Sequence, residues 1–434
     1  MEGKKIKVIK LKSRENESLK ITIFFVKWVF LGGLVGIFTG LVGAFFLKSL
    51  EYVTKVRINT WWILFLLPFG GAFVSWLYYK FGGKSSKGNN LIIEKLNDNE
   101  DEVPLRMAPL VLLGTIITHL FGGSAGREGT GVQIGASIAE RIGKIFRLDK
   151  ADSRIILMAG ISGGFSSVFG TPIASTIFGM EVAALGSMNY VAILPCFVSS
   201  FIGNFVTQTF GVSHSHYSMG VVPKLTFLLL GKVLIIAILF GLTSKLFSMT
   251  THGLKKLFTS RFKNSALKSF IGGLAVIFFT YIIGSREYLG LSLTMLSKAF
   301  TNVSSPLDFI IKLFLTSVTL GSGFQGGEVT PLFVIGATLG SFLSSILNAP
   351  VSFFAALGFI GVFTGATNTP IAAVFMGIEM FGSDGTIFIL MVCIISYLFS
   401  GHSGIYTSQL ISTSKSSLIN IDENSSINSR YTKK

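Results

Sequence analysis

Two stretches of this chain, Val182 to Pro223 and Val329 to Ile378, run for 42 and 50 residues without a lysine, arginine, aspartate or glutamate. A helix crossing the roughly 30 Å hydrocarbon core of a bilayer needs about 20 residues. Each stretch therefore holds more than one helix, and some of these must be buried against other helices rather than lipid. Shorter charge-free runs, Trp28 to Leu47, Ile58 to Tyr79 and Met107 to Gly126, add further spans. With half of the 434 residues apolar and only 13% charged, the pattern is that of an all-α polytopic membrane protein. The 49 glycines suit close helix packing and broken helices better than lipid-facing rods.

A formal net charge of +16 raises nucleic acid as a partner, but the basic residues cluster where membrane topology puts them. Lys4, Lys5, Lys7, Lys10, Lys12, Arg14 and Lys20 crowd the start of the chain, and Lys245, Lys255, Lys256, Arg261, Lys263 and Lys268 form a mid-chain group with no acid among them. Both groups read as cytoplasmic by the positive-inside rule, which places the N-terminus in the cytoplasm of a multi-pass protein of the cell membrane. Lipid, not nucleic acid, is the expected neighbour. Cys196 and Cys393 lie in apolar runs and imply neither a disulfide framework nor a metal cluster. The scattered histidines, including His214 and His216, do not form a metal set, and no cofactor is expected. The basic start is followed by a span too long for a cleavable leader.

The second half of the chain repeats the first. Phe169-Gly-Thr-Pro-Ile-Ala174 with Glu181 answers Thr367-Asn-Thr-Pro-Ile-Ala372 with Glu379, each proline preceding its glutamate by nine residues. Glu128, Thr130 and Ile134-Gly135-Ala136 answer Glu328, Thr330 and Ile335-Gly336-Ala337 with one residue inserted. Two matched blocks in the same order divide the chain into a basic tail (1–20), a first membrane repeat (21–212), a connector (213–223), a second repeat (224–414) and a polar tail (415–434). The first span leaves a basic segment, whereas its counterpart, about 224–244, runs into one. The repeats are therefore expected to be inverted. Within them, helical runs are expected at about 21–47, 61–80, 91–96, 131–143, 152–165, 171–184 and 189–209. The second set is expected at 224–250, 267–284, 306–320, 330–345, 353–364, 370–380 and 385–400, with a last piece from 403 and an acidic loop at Asp98 to Glu102.

Glycine- and proline-interrupted segments in matching positions of two halves point to a transport site at the membrane midplane. The stretch Gly126-Arg127-Glu128-Gly129-Thr130 is the sharpest of them. An ionisable side chain at that depth costs at least ~2.5 kcal/mol and calls for a functional reason. Flanking glycines allow close backbone approach, and a helix starting there aims unsatisfied N–H groups and the positive end of its dipole into the same space. That geometry favours an anion, and the Glu128 carboxylate is itself a candidate occupant that leaves when protonated or displaced.

At these residues the chain resembles the CLC family of chloride channels and proton-coupled anion antiporters. Gly126-Arg127-Glu128-Gly129 is similar to the family's gating-glutamate motif, with Thr130 where proline is usual. Gly326-Gly327-Glu328-Val329-Thr330-Pro331 is similar to its second anion-site motif, and Tyr406 to the tyrosine that closes the inner side. The resemblance, over roughly residues 21–414, implies a homodimer with one pore per subunit, each subunit built from two inverted repeats with broken helices. Three departures bear on the ion. Lys87-Gly88-Asn89-Asn90-Leu91 places Asn89 where chloride-type members have a central serine, Val182 stands where their internal proton-relay glutamate falls, and Glu328 replaces an aliphatic residue. This combination resembles the bacterial fluoride branch, whose members export fluoride against proton entry. The implied roles are gating and proton coupling for Glu128, a second acid at Glu328, and anion contact from Asn89, Gly126, Arg127, Gly129, Thr130, Val329, Thr330 and Tyr406. A chloride/proton antiporter or a passive anion channel is the alternative. Fluoride is small and strongly hydrated, so its donors must converge closely; aromatic ring edges are further candidates.

Plainer roles stay open for several of these residues. Glu128 also fits an ion pair with Arg127, Glu328 a helix-start acid, Thr330 a helix cap, Asn89 the end of a connector, and Tyr406 a packed interfacial aromatic. Glu181 and Glu379 read as structural. Gly122-Gly-Ser124-Ala-Gly126 fits the nucleophile-elbow pattern of serine hydrolases. That elbow requires a strand before the serine, whereas here a helical run precedes it, so the chain is not expected to be an enzyme.

Overall fold

The computed structural model of the chain describes residues 2–97, 101–422 and 424–432, with side chains described from 17 to 97, 101 to 422 and 424 to 429. In the first half α1 (Glu2–Asn59), α2 (Leu67–Leu77), α3 (Asn89–Leu96), α4 (Met107–Phe121), α5 (Glu128–Ile145), α6 (Lys150–Phe169), α7 (Pro172–Glu181) and α8 (Ile193–Thr209) follow in order. The second half repeats the series as α9 (Phe227–Arg261), α10 (Ser265–Ile283), α11 (Leu293–Ala299), α12 (Asp308–Gly321), α13 (Val329–Leu347), α14 (Val351–Thr367), α15 (Pro370–Phe381) and α16 (Thr386–Phe399). Packing repeats with the order: α1 on α8 as α9 on α16, α5 on α6 as α13 on α14, and α6 on α8 as α14 on α16.

Close helix approach is where the glycines are used. A Cβ on Gly135 of α5 would run into the carbonyl oxygen of Gly160 on α6, and one on the matching Gly336 of α13 into that of Gly358 on α14. With these helix pairs locked backbone to backbone, α14 is buried from Phe353 to Thr367. It forms the centre of a core in which Phe333 and Phe359 stack flat at 4.0 Å between ring centroids.

Glu181 and Glu379, read from the sequence as structural, are helix caps exchanged between the halves. At the C-terminal end of α7, Glu181 accepts from the N–H groups of Ile371 and Ala372 at the start of α15 (3.1 and 2.8 Å). At the end of α15, Glu379 accepts from Ile173 and Ala174 at the start of α7 (3.1 and 3.0 Å). Each carboxylate satisfies donors that the first helical turn leaves unpaired and sits at the positive end of the dipole. The start of each helix lies against the end of its counterpart, so α7 and α15 are antiparallel, and the two repeats are inverted.

The structure departs from the sequence expectations at several elements. The backbone of α1 is helical from Glu2, through the segment read as a tail, because lysine, glutamate and leucine are good helix formers even where hydropathy shows no span. The basic side chains from Lys4 to Arg14, and Asp98, Asn99 and Glu100 of the expected acidic loop, lie outside the described residues. Helix α11, the counterpart of α3, has only seven residues and leaves no periodic signal. Beyond α16 there is no continued helix. β1 (Ala184–Leu185) instead pairs in parallel with β2 (Leu410–Ile411), which pairs antiparallel with β3 (Ser425–Ser426), and α17 (Ile427–Thr432) follows.

Candidate functional site

The site lies where the two inverted halves bring helix starts together. Helix α4 stops at Gly122, whose φ of +94° is the left-handed conformation that ends a helix cheaply only at glycine. The loop after it delivers the chain to α5. Helix α12 is followed by Gly323 (φ +101°) and Gly326 (φ +156°) before α13. The two loops meet as an antiparallel bridge: Gly126 N donates to Gly327 O at 2.6 Å and Gly327 N to Gly126 O at 2.8 Å. A Cβ on Gly126 would come within 2.9 Å of Gly327 O, so a side chain there would part the loops.

Across this bridge the Glu128 side chain, 1% exposed, reaches from the first half to the start of α13. Its Oε2 accepts from the backbone N–H of Thr330 at 3.0 Å, from the Thr330 hydroxyl at 2.6 Å and from Arg127 N at 3.3 Å. Arg127 Nε stands 3.6 Å from Oε1, close enough for ionic attraction but too far for a hydrogen bond. The carboxylate thus occupies the N-terminus of α13, where first-turn N–H groups have no helical acceptor and Pro331 supplies none. Donors that converge on one carboxylate oxygen make a cradle for one small anion at a time.

Two cavities flank this point. One, about 720 Å³, is lined among others by Arg127, Lys48, Lys55, Glu51, Arg286 and Glu287. The other, about 420 Å³, is lined by Asn89, Gln133, Glu328, Tyr406, Lys255 and Lys268 among others. Arg127 faces the first cavity, while Glu328 and Asn89, which crowd Gly129, face the second. An ideal Cβ on Gly129 would lie 3.0 Å from Asn89 Nδ2 and 3.9 Å from Glu328 Oε2. Glu128 lines neither cavity and stands in the partition between them.

The structure brings together most of the residues singled out from the sequence. Glu128, Arg127, Gly129, Val329 and Thr330 form the partition, and Asn89, Glu328 and Tyr406 the wall of the smaller cavity. Two are directed elsewhere. The Gly126 N–H is taken by Gly327 O, so it is not open to an anion. The Thr130 hydroxyl lies 2.8 Å from that of Thr115 on α4, which ties α5 to α4 instead. Gln133 went unrecognised in the sequence, and Lys255 and Lys268 were read as part of a cytoplasmic basic group without a place at the site. Gln133 carried one faint signal, a polar side chain within the apolar stretch Val132 to Ala136 of α5, and its Oε1 and the Oδ1 of Asn89 are buried without a hydrogen-bond partner among the described residues.

Ser124 has a neighbour that the motif does not reveal. Lys312 of α12, fully buried, donates to Ser124 Oγ at 2.9 Å, which is the spacing of a serine–lysine dyad. The same Nζ donates to Tyr288 O (3.1 Å), Gly290 O (2.8 Å) and Ser292 Oγ (2.9 Å). Hydrogen bonds to four oxygens hold this nitrogen in place, and neither cavity is lined by Ser124. The cluster is a polar knot that anchors the loop leading to Glu128.

Comparison with known proteins agrees with this fold. A family model described as voltage gated chloride channel matches residues 70–401. The chain is 43% identical over 410 residues, 93% of its length and 91% of the relative's, to a chloride/fluoride channel protein of Pseudomonas syringae pv. tomato. It is 26% identical over 384 residues, 81% of each chain, to an H(+)/Cl(-) exchange transporter of Vibrio cholerae. The crystal structure of a CLC-type fluoride/proton antiporter superposes with a TM-score of 0.86 at 35% identity, over 88% of this chain and 98% of that one. A slow cyanobacterial Cl-/H+ antiporter, 19% identical, shares the fold with a TM-score of 0.75 over 88% and 96% of the two chains.

Proposed function

Because this chain belongs to the voltage gated chloride channel (CLC) family, we propose that it exports fluoride across the bacterial cell membrane in exchange for protons, Glu128 and the anion taking turns at the start of α13. The observation that carries this reading is the pair of Thr330 donors, 3.0 and 2.6 Å from one Glu128 oxygen. Fluoride is similar in size to a carboxylate oxygen, so a cradle fitted to one fits the other. Protonation removes the charge that holds Glu128 in place, and the neutral acid leaves the cradle to an arriving fluoride. One carboxylate is replaced by one fluoride with little change in site charge, which couples the proton to the anion. Glu328, facing the smaller cavity, is the second acid in this scheme, and Tyr406 closes that cavity's inner side. Likeness to the chloride/fluoride channel protein and to the fluoride/proton antiporter supports the choice of ion.

The basic group that includes Lys255 and Lys268 rims the smaller cavity and marks it as cytoplasmic by the positive-inside rule, with the N-terminus on the same side. Apolar stripes at helical spacing, Ile193, Phe197, Phe201 and Phe205 on α8 and Ile387, Leu390, Ile394 and Leu398 on α16, are exposed and suit the interface of a homodimer. The packed Ser124–Lys312 knot supports a transporter rather than an enzyme.

A chloride/proton antiporter or passive channel is the second reading, favoured by likeness to the H(+)/Cl(-) exchange transporter. Proteoliposomes loaded with fluoride or chloride and followed with ion and pH electrodes decide between them. Selective fluoride efflux with proton uptake is expected, and Glu128→Gln is expected to abolish the proton movement. Equal chloride flux, or fluoride-driven proton uptake that survives in Glu128→Gln, refutes the reading.

A further inference from the structure

Tyr406 stands in a loop with no helix of its own, between the end of α16 and β2, so its position depends on what grips that loop. Two residues on, Ser408 is held by α3: its N–H donates to Asn90 Oδ1 at 3.0 Å and its hydroxyl to Glu94 Oε1 at 2.9 Å. Asn90 follows Asn89, which lines the same cavity as Tyr406. The next residue, Gln409, is fully buried. Its Nε2 donates to Val182 O at 3.0 Å and Thr367 O at 3.2 Å, and its Oε1 accepts from Asn368 Nδ2 at 3.0 Å.

The end of the described chain closes over this loop from the other side. Asn428 N donates to Thr407 O at 2.8 Å and Ile427 N to Gln409 O at 3.0 Å. Between these ends, Lys415 Nζ donates to Asn368 Oδ1 at 2.6 Å, to Tyr397 O at 2.7 Å and to Ser400 Oγ at 2.9 Å. The Tyr406 loop is therefore clamped between α3 and a C-terminal strap. Of these ties, the Ser408 pair alone joins Tyr406 to the helix that carries Asn89.

We propose that Ser408 is a positioning residue: by fastening the Tyr406 loop to α3 it fixes the opening between Tyr406 and Asn89, so that an anion passes only in step with proton exchange. This rests on the reading of Tyr406 and Glu128 given above. A serine that merely stabilised the fold would change protein yield or melting temperature and leave the number of protons moved per anion untouched. Ser408→Ala and Glu94→Ala each remove the hydroxyl–carboxylate bond. Glu94→Gln keeps an oxygen acceptor for Ser408 while giving up the charge that pairs with Lys87 at 2.7 Å.

The experiment is paired proton and anion flux in proteoliposomes, at equal amounts of monodisperse full-length protein. Ser408→Ala and Glu94→Ala are expected to lower the proton-to-fluoride ratio at least twofold while anion flux continues. Glu94→Gln should stay near the unaltered protein, and the double alanine variant should be no worse than either single one. Unaltered ratios in both alanine variants, or a Glu94→Gln variant as uncoupled as Glu94→Ala, overturn the proposal. The ratio is read with chloride as well as fluoride. A protein found to carry chloride would displace the choice of ion made above, while the comparison of variants would still decide the role of Ser408.

Discussion

Thr330 presents two donors to one acceptor from the same residue, and they separate experimentally because one belongs to the backbone. Thr330→Val keeps the side-chain volume and the N–H but deletes the hydroxyl. A hydrogen bond to a charged group is worth about 1.5–3 kcal/mol. The half-saturating fluoride concentration for efflux should accordingly rise about ten- to a hundredfold, as read from the concentration dependence of flux. The buried acid at residue 128 was legible because a charge at membrane depth beside glycines needs a reason. Its partner was not: a motif shows that Thr330 belongs to a site but not whose oxygen it holds. The partners of Gly126 and Thr130 were hidden for the same cause. A sequence shows polar groups without showing that Gly327 O already accepts from one and that the Thr115 hydroxyl already pairs with the other.

Several helices here are short or broken, and they are joined through glycine and carboxylate contacts that hydropathy does not see. Periodicity located the larger elements, since runs such as 189–209 and 385–400 coincide with α8 and α16 to within a few residues. It missed α11, which is too short to show a period, and it began α1 late and ended it early because composition rather than helicity set the boundaries. The contacts between elements carry measurable stability. In Gly135→Ala the new methyl meets the Gly160 carbonyl of α6, an overpacking expected to cost about 1–3 kcal/mol or more. Glu181→Ala strips the cap from α15 and leaves two N–H groups unsatisfied at about 1–3 kcal/mol each. Both variants should melt earlier than the unaltered protein in detergent, as measured by thermal unfolding, and Glu181→Gln, which retains an acceptor, should lose less than Glu181→Ala.

For the molecule as a whole, the inverted duplication was readable from paired motifs, but its proof lay in geometry, in helices that cap each other's starts. Ionic contacts outside the spans set a limit on acid tolerance. A hydrogen bond and charge attraction from Lys144 hold the Glu102 carboxyl below its ordinary value of 4.5, and Lys84 does the same for Asp101. Carboxyls depressed on folding stabilise the protein above their unfolded pKa, and that contribution fades as pH falls through the folded value. These bridges therefore stay intact between about pH 7 and 5. Lys144→Ala should lower the melting temperature slightly at pH 7 and make progressively less difference as the pH falls through the lowered pKa of Glu102, where the partner becomes neutral.

Gly126 and Gly327 exchange two amide hydrogen bonds where the loops of the two halves meet, and the carboxylate that follows one loop reaches a receiver that follows the other. A polypeptide of half this length would own either that acid or the receiver it enters, never the working combination. Ion exchange by this scheme begins only once two such lengths are united, whether in a single chain or as a pair.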